Sequence, residues 1–186
     1  MRRRNTLLAS LGLAAATGLV AVATAMPVSP AVPMTAAAAK IGEKAPAFKL
    51  KDLDGKEHTL ADFKGKTVVL EWFSSKCPWS GAKSRNSVHS TGQVAKLMTG
   101  LKKADKDVVY VAIDSTARGM TMDAVVASDK KAVESLKIKN PVLVDFDGKV
   151  GKMYGAKTTP HMFVIDGEGV LRYSGAFSDR GDKNYV

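Results

Sequence analysis

Cys77 is the only cysteine in the chain, and it is the residue whose type best suits nucleophilic or redox chemistry. It follows a run of β-forming residues and precedes Pro78, Trp79 and Ser80. A strand that turns into a helix here would expose the thiol to unpaired backbone N–H groups and to the positive end of a helix dipole, which favour the thiolate. Pro78 suits the first position of such a helix. The alternative is a buried, unreactive cysteine, but the polar and basic neighbours favour a redox-active thiol.

A single cysteine limits the chemistry that Cys77 can perform. It cannot form an internal disulfide or belong to a cysteine-rich zinc site, so it is a free thiol, part of an intermolecular bridge or a buried side chain. A dithiol centre needs a second cysteine three residues further on, and Ser80 occupies that position. The sequence therefore predicts a centre with one thiol.

Glu71 lies six residues before Cys77, inside an otherwise apolar segment. A carboxyl group there could exchange a proton with the thiol. The alternative is a position at the sheet edge where Glu71 faces solvent. His58 and His89 have no predicted partner, and the eight methionines are dispersed. We expect neither a metal ion nor a cofactor.

Hydrophobic patterning predicts an α/β sheet covered by helices. A β-hairpin is expected around Asp54-Gly55 at the start of the domain, and a second hairpin at 166–169 near the end. The segment 119–127 has no pattern that assigns it to a helix or a strand. Further strands are predicted at 67–73, 108–113, 142–144, 162–165 and 170–173, and helices at about 94–103, at about 128–137 and between Asp147 and Gly155.

Residues 1–39 have the pattern of an export signal followed by a linker. Three arginines precede an apolar, small-residue stretch, and a segment rich in alanine and proline follows. The alternative is an uncleaved membrane anchor. We therefore expect an exported protein, periplasmic or otherwise extracytoplasmic, either free or membrane-anchored, with one domain at residues 40–186.

The distribution of charge argues against nucleic-acid binding. The net charge of +10 falls to +7 when the three leader arginines are removed. The lysines are scattered along the chain rather than clustered with aromatic residues, which is typical of solvated surfaces. Contact with a membrane is expected only through the leader.

From about Ile41 to its end, the chain resembles the redoxin branch of the thioredoxin superfamily, which includes the alkyl hydroperoxide reductase/thiol-specific antioxidant proteins. It is also similar to exported thiol-disulfide oxidoreductases with the same core. The segments that carry the resemblance are LADFKGKTVVL at 60–70, CPWS at 77–80 and YGAKTTPHMFVID at 154–166. The resemblance implies a thioredoxin-like fold with an added N-terminal β-hairpin.

The resemblance also implies a set of site residues around Cys77. Thr159-Pro160 would be the cis-proline turn beside the thiol, with the backbone of Thr159 available to a substrate chain. Glu71 stands where thioredoxins have a buried acid. Trp79 and Pro78 would form the rim, and His161 either joins them or is a structural histidine.

Three departures from the family pattern restrict the prediction. Peroxiredoxins usually have a proline and a threonine where this chain has Leu70 and Ser74. Thioredoxin folds normally end with a helix, and the chain stops at Val186, about where that helix should begin. We therefore expect that the C-terminal helix is missing or truncated and that the resolving thiol is either external or a cysteine beyond residue 186.

These observations predict a thiol-dependent oxidoreductase whose Cys77 thiolate attacks a peroxide or a protein disulfide, with a slight preference for the antioxidant reaction. An external reductant, thioredoxin-like or a small thiol, must complete the cycle. One alternative is a non-catalytic binding module that traps clients as mixed disulfides. Another, a copper-handling relative, normally needs two cysteines.

Overall fold

The computed structural model describes residues 38–104, 107–116 and 119–177. Seven strands form one mixed sheet in this part of the chain. They are β1 (Lys49–Asp52), β2 (Glu57–Thr59), β3 (Thr67–Phe73), β4 (Val108–Asp114), β5 (Val142–Val144), β6 (His161–Ile165) and β7 (Leu171–Gly175). Their spatial order is β2-β1-β5-β4-β3-β6-β7.

The helices are α1 (Gln93–Ala104), α2 (Met122–Leu136) and α3 (Lys149–Tyr154), with a short 3-10 helix at Leu60–Phe63. Helix α2 begins six residues before the predicted helix and includes most of the unassigned segment. Thr121 is its N-cap, because the Thr121 hydroxyl accepts a hydrogen bond of 3.3 Å from the backbone N–H of Ala124. The N-cap of α3 is Gly148, while Asp147 accepts from the Lys149 N–H at 3.1 Å.

Strands β3, β4 and β5 are parallel, and β6 and β7 continue the sheet in antiparallel pairing beyond β3. The hairpin β1–β2 joins the other side of the sheet through β5. This topology confirms the predicted α/β, thioredoxin-like fold with an N-terminal hairpin. The predicted leader and the predicted missing C-terminal helix concern residues 1–37 and 178–186, which lie outside the described residues. No helix in the described residues is long and apolar enough to cross a membrane.

The two faces of β3 determine where the site lies. Successive side chains of a strand alternate between faces. Val68, Leu70 and Trp72 pack into the largest hydrophobic cluster, on the side of α3. Glu71 shares the opposite face with Val69, which packs among residues of α1 and of the turns before it. The alternation of side chains along β3 thus points the Glu71 carboxyl group toward the turns that follow Cys77.

Candidate active site

Cys77 lies four residues after the end of β3, in a compact turn. Its backbone N–H donates to the Ser74 carbonyl at 3.1 Å, and its own carbonyl accepts from the Ser80 N–H at 3.2 Å. The Gly81 N–H also returns to the Ser74 carbonyl, at 3.0 Å. A Cβ at Gly81 would lie 2.4 Å from the Phe73 ring, so only glycine permits this approach.

The prediction that Cys77 begins a helix is wrong. Residues 77–92 form consecutive turns, and α1 starts only at Gln93. Serine side chains bind the backbone in place of helical hydrogen bonds: the Ser84 hydroxyl donates to the Pro78 carbonyl at 2.7 Å, and the Ser87 hydroxyl donates to the Ser80 carbonyl. The N–H of Cys77 is also occupied. The thiol therefore does not lie at the N-terminus of a helix that begins at Cys77.

The Cys77 thiol faces the loop between α3 and β6. Its Sγ, partly exposed, donates a hydrogen bond of 3.0 Å to the Thr159 carbonyl oxygen. The Thr159–Pro160 peptide bond is cis. The structure thus brings together three residues that the sequence predicts at one site, although Cys77 and Thr159 are 82 positions apart along the chain.

Glu71 lies fully buried below this turn, which excludes the alternative of an edge position in solvent. Its Oε1 accepts a hydrogen bond of 2.7 Å from the Ser80 hydroxyl. Its Oε2 accepts one of 2.7 Å from the Tyr110 hydroxyl and lies 2.7 Å from His89 Nε2. A buried carboxylate is stable only when its oxygens are paired in this way. We call Glu71, Ser80, His89 and Tyr110 the Glu71 network.

Ser80, at the position of the absent second cysteine, is fully buried and connects the two parts of the site. Its N–H donates to the Cys77 carbonyl, and its hydroxyl donates to Glu71. Glu71 therefore reaches the Cys77 turn through Ser80, while the thiol itself bonds to Thr159.

His89 and Tyr110 were not among the predicted site residues. Tyr110 pairs with Val69 across β3 and β4, so the period of two along a parallel pair could have placed it on the face of Glu71. His89 lies in the irregular stretch before α1, where no periodic signal exists. Its imidazole packs edge-on against Phe73, with ring centroids 5.7 Å apart.

The rim residues differ in how they are placed. Trp79 is 59% exposed and Pro78 is exposed, as a rim requires. The ring nitrogens of His161 instead contact the Lys157 N–H at 3.2 Å and the Ser174 hydroxyl at 3.4 Å. Burial, together with the positive charge of Lys157, lowers the pKa of His161. The contacts of His161 favour the structural alternative.

Two further buried acids lie near Ser75, in the turn that precedes Cys77. Asp129 of α2 and Asp114 of β4 are both buried. Thr116 donates its N–H and its hydroxyl to Asp114. Ser75 and Asp114 lie near Asp129, but neither oxygen of Asp129 has a hydrogen-bond partner of normal geometry within the described chain. Burial, and then the charge of Asp114, raises the pKa of Asp129 to about 7. The Ser75 and Ser128 hydroxyls, 2.9 Å apart, join α2 to the Cys77 turn.

The basic residues near Cys77 in sequence do not converge on the sulfur. Lys76 Nζ lies 2.9 Å from the Met120 sulfur. Lys83 and Arg85 line a separate cavity. Over the ranges that the structure describes, no group of three His, Cys, Asp or Glu side chains is arranged to hold a metal ion.

The fold, with a free thiol beside a cis-proline turn, defines a thioredoxin-like protein. The comparisons with known proteins agree: a family model described as Redoxin matches residues 40–185, and the chain belongs to the redoxin family. This confirms the family that the sequence resembled.

Named relatives are similar to this chain over most of the domain. The thiol-disulfide oxidoreductase ResA of Bacillus thuringiensis subsp. konkukian is 31% identical over 130 residues, which cover 70% of this chain and 66% of the relative. The chloroplastic peroxiredoxin Q of Suaeda salsa is 28% identical over 142 residues, covering 70% and 57%. The chain therefore matches just under two thirds, or less, of the length of these relatives.

A solved structure supports the same fold. The thioredoxin domain of a thiol-disulfide oxidoreductase from Bacteroides vulgatus superposes with a TM-score of 0.55, at 23% identity, over 73% of this chain and 87% of that domain. Together, the family and the named relatives support the enzyme class expected from the sequence, a thiol-dependent oxidoreductase.

Proposed function

We propose that the chain catalyses thiol–disulfide exchange through Cys77 alone. The observation that carries this proposal is the partly exposed Cys77 sulfur, 3.0 Å from the Thr159 carbonyl at the cis-proline turn. A disulfide of an extended substrate can approach there, between the exposed Trp79 and the Thr159–Pro160 loop. The name of the ResA relative supports the same reaction.

The proposed reaction proceeds in two exchanges. The Cys77 thiol loses its proton and attacks one sulfur of a substrate disulfide; a Cys77–substrate disulfide forms, the substrate disulfide breaks, and the second substrate sulfur leaves as a thiolate that takes up a proton. An external thiol then attacks the substrate sulfur of the mixed disulfide. A disulfide between the external thiol and the substrate forms, the Cys77–substrate disulfide breaks, and Cys77 takes up the proton and returns to the thiol. Ser80 has no sulfur, so the second exchange cannot occur at position 80 as it would in a dithiol centre.

Glu71 is proposed to assist this chemistry through Ser80, without contacting the thiol itself. The Ser80 hydroxyl donates to Glu71, and the Ser80 N–H donates to the Cys77 carbonyl, so the charge on Glu71 influences the turn that holds the sulfur. We therefore treat Glu71 as a positioning residue. Pro160 and Trp79 are proposed to contact the substrate, and the backbone of Thr159 to pair with it.

A peroxide is the second candidate substrate. The similarity to a peroxiredoxin and the presence of one thiol favour it. In that reaction the Cys77 thiolate takes one oxygen of the peroxide and becomes a sulfenic acid, while the other oxygen leaves as an alcohol or water; two external thiols then reduce the sulfenic acid. Of the peroxiredoxin proline and threonine, only the hydroxyl group of the threonine is retained, as that of Ser74. The Ser74 hydroxyl lies 3.2 Å from the Thr116 hydroxyl.

Replacement of the thiol tests both candidates. We expect Cys77→Ser to abolish turnover, because the hydroxyl is not a comparable nucleophile at neutral pH. The measurement is disulfide reduction by an excess of small thiol, with peroxide consumption assayed in parallel, and Thr99→Ala on the exposed face of α1 is the control. Turnover that persists without Cys77 would refute the proposal. A mixed disulfide that accumulates and is never released by thiol would instead indicate a binding module.

A further inference from the structure

A cavity of about 350 Å³ lies beside the turns that follow Cys77. Lys83, Arg85 and Lys137 line it, together with Ser84, Ser90 and the edge of His89, and none of the lining side chains is acidic. We call it the basic pocket. Its volume is at the lower end of the range for small-molecule sites, and it is too small to be the contact surface of a protein partner.

The three cations of the basic pocket have no acidic partner within the described ranges of the chain. Some exposed cations of the protein do pair with carboxylates, as Lys130 does with Asp54 at 2.8 Å and Arg172 with Asp166 at 2.6 Å. Three uncompensated positive charges around one concave site create a local potential that attracts anions. The Ser84 and Ser90 hydroxyls already donate to backbone carbonyls, so the cations are the groups that would bind an oxyanion.

The basic pocket is connected to the thiol by the backbone. The Ser84 hydroxyl, at its wall, donates to the carbonyl of Pro78, the residue after Cys77. The Val88 N–H donates to the Trp79 carbonyl at 3.1 Å. One wall of the pocket is therefore hydrogen-bonded to the residue that follows the reactive cysteine.

We infer that the basic pocket binds the carboxylate or phosphate group of a small anionic thiol or disulfide that exchanges with Cys77. This inference rests on the proposed exchange reaction and adds to it the chemical class of the external thiol. A free inorganic oxyanion would satisfy the same cations, and a protein reductant would need a contact surface much larger than this pocket.

The test uses two disulfide probes and two charge-matched variants. The pocket variant carries Lys83→Gln, Arg85→Gln and Lys137→Asn; asparagine is used because residue 137 has a φ of 55°. The control variant carries Lys96→Gln, Lys102→Gln and Lys103→Gln, which remove the same charge from the exposed face of α1. The rate of Cys77 oxidation is measured at neutral pH and low salt with the dianionic dithiobis-nitrobenzoate and with the neutral dithiodipyridine.

We expect the ratio of the anionic rate to the neutral rate to fall about tenfold in the pocket variant and to change by less than about threefold in the control. Inorganic phosphate should slow only the reaction with the anionic probe, and only when the pocket is intact. Equal losses in the two variants would overturn the inference, because they would indicate general attraction by net charge.

A binding measurement separates this inference from the proposed function. Inorganic phosphate is titrated into the Cys77→Ser protein, with and without the pocket substitutions, and followed by calorimetry. Binding that the substitutions remove supports the pocket even if catalysis by Cys77 is disproved. Phosphate binding without any effect on the probe ratio would indicate a site for inorganic oxyanions and overturn the link to a thiol compound. Absence of both effects would overturn the inference entirely.

Discussion

Glu71 and Asp129 are equally buried, and both adjoin the segment that carries Cys77, but their surroundings differ. Glu71 has three hydrogen-bonding partners at 2.7 Å, whereas both oxygens of Asp129 lack a partner within the described chain. The charge of a second carboxyl group, Asp114, also acts on Asp129. Two equally buried acids therefore differ in the partners that surround them.

The difference has a physical consequence for each group. The three groups around Glu71 pair both of its buried oxygens, which are costly to bury without partners. Burial, and then the charge of Asp114, raises the pKa of Asp129 to about 7. The Glu71 network thus satisfies its buried acid by hydrogen bonds, whereas Asp129 holds a proton up to near neutral pH.

The largest effect that would test this contrast is expected from Glu71→Gln. The amide keeps the shape of the side chain but turns one of its two acceptor positions into a donor, which must face Ser80, His89 or Tyr110. We expect the free energy of unfolding to fall by about 2–4 kcal/mol. Urea denaturation at neutral pH measures it.

The control for that variant is Glu57→Gln, at an exposed residue that pairs with Lys49 at 2.8 Å. Exposed ion pairs contribute about 0–1 kcal/mol, so this variant should be nearly neutral. Equal losses for the two variants would contradict the role of the three donors.

A smaller effect, of opposite sign, is expected from Asp129→Asn. The ordinary pKa of an aspartate is 3.8, and in the folded protein that of Asp129 is about 7, so between these two values the folded protein binds more protons at Asp129 than the unfolded chain does. The free energy of unfolding should therefore fall as pH rises through that interval. Asparagine carries no charge, so above that interval the variant should be more stable than the native chain by about 1–3 kcal/mol.

The pH dependence of this second variant makes the test specific. Below the unfolded pKa the two proteins should have nearly the same stability, because Asp129 is protonated in both states. The decrease in the free energy of unfolding with rising pH should be smaller in the variant but should not vanish, since burial also raises the pKa of Asp114. An unchanged slope would show that Asp129 is not the group that holds the proton. Asp54→Asn, at an exposed residue, is the matched control.

The sheet was predictable from the sequence because its signals are local. The run of β-formers at 67–73 matches β3 residue for residue. The position of Glu71 in that run was compatible with burial or with a solvent-facing edge, and the structure shows burial. The start of α2 also has a local signal, since Thr121 followed by Asp123 is typical of the beginning of a helix, although the prediction placed that start six residues later.

The turns at 77–92 could not be predicted by the same means. Strand, cysteine and proline together suggested a helix, but the outcome depends on serine hydroxyls that bind particular carbonyls, as Ser84 and Ser87 do. The contact of His89 with Glu71 spans 18 residues and leaves no periodic trace. Likewise, nothing in the spacing of Asp114 and Asp129 shows that one will be paired and the other unpaired.

The smallest effect, from Tyr110→Phe, measures what one donor contributes to the Glu71 network. The variant removes only the hydroxyl that donates to Oε2, while His89 and Ser80 remain. Tyr154→Phe is the matched control, because that buried hydroxyl donates at 2.7 Å to the neutral carbonyl of Pro46.

Hydrogen bonds to charged groups contribute about 1.5–3 kcal/mol and neutral ones about 0.5–1.5 kcal/mol. With two donors left on Glu71, we expect Tyr110→Phe to cost about 1–2 kcal/mol, more than Tyr154→Phe, in denaturation at neutral pH. The excess should disappear when both substitutions are repeated in Glu71→Gln, because the charge that the tyrosine stabilises is then absent. If the two tyrosines cost the same in the native chain, the donors around Glu71 are stabilising a neutral acid. Glu71 would then resemble Asp129 in charge and differ from it only in its hydrogen bonds.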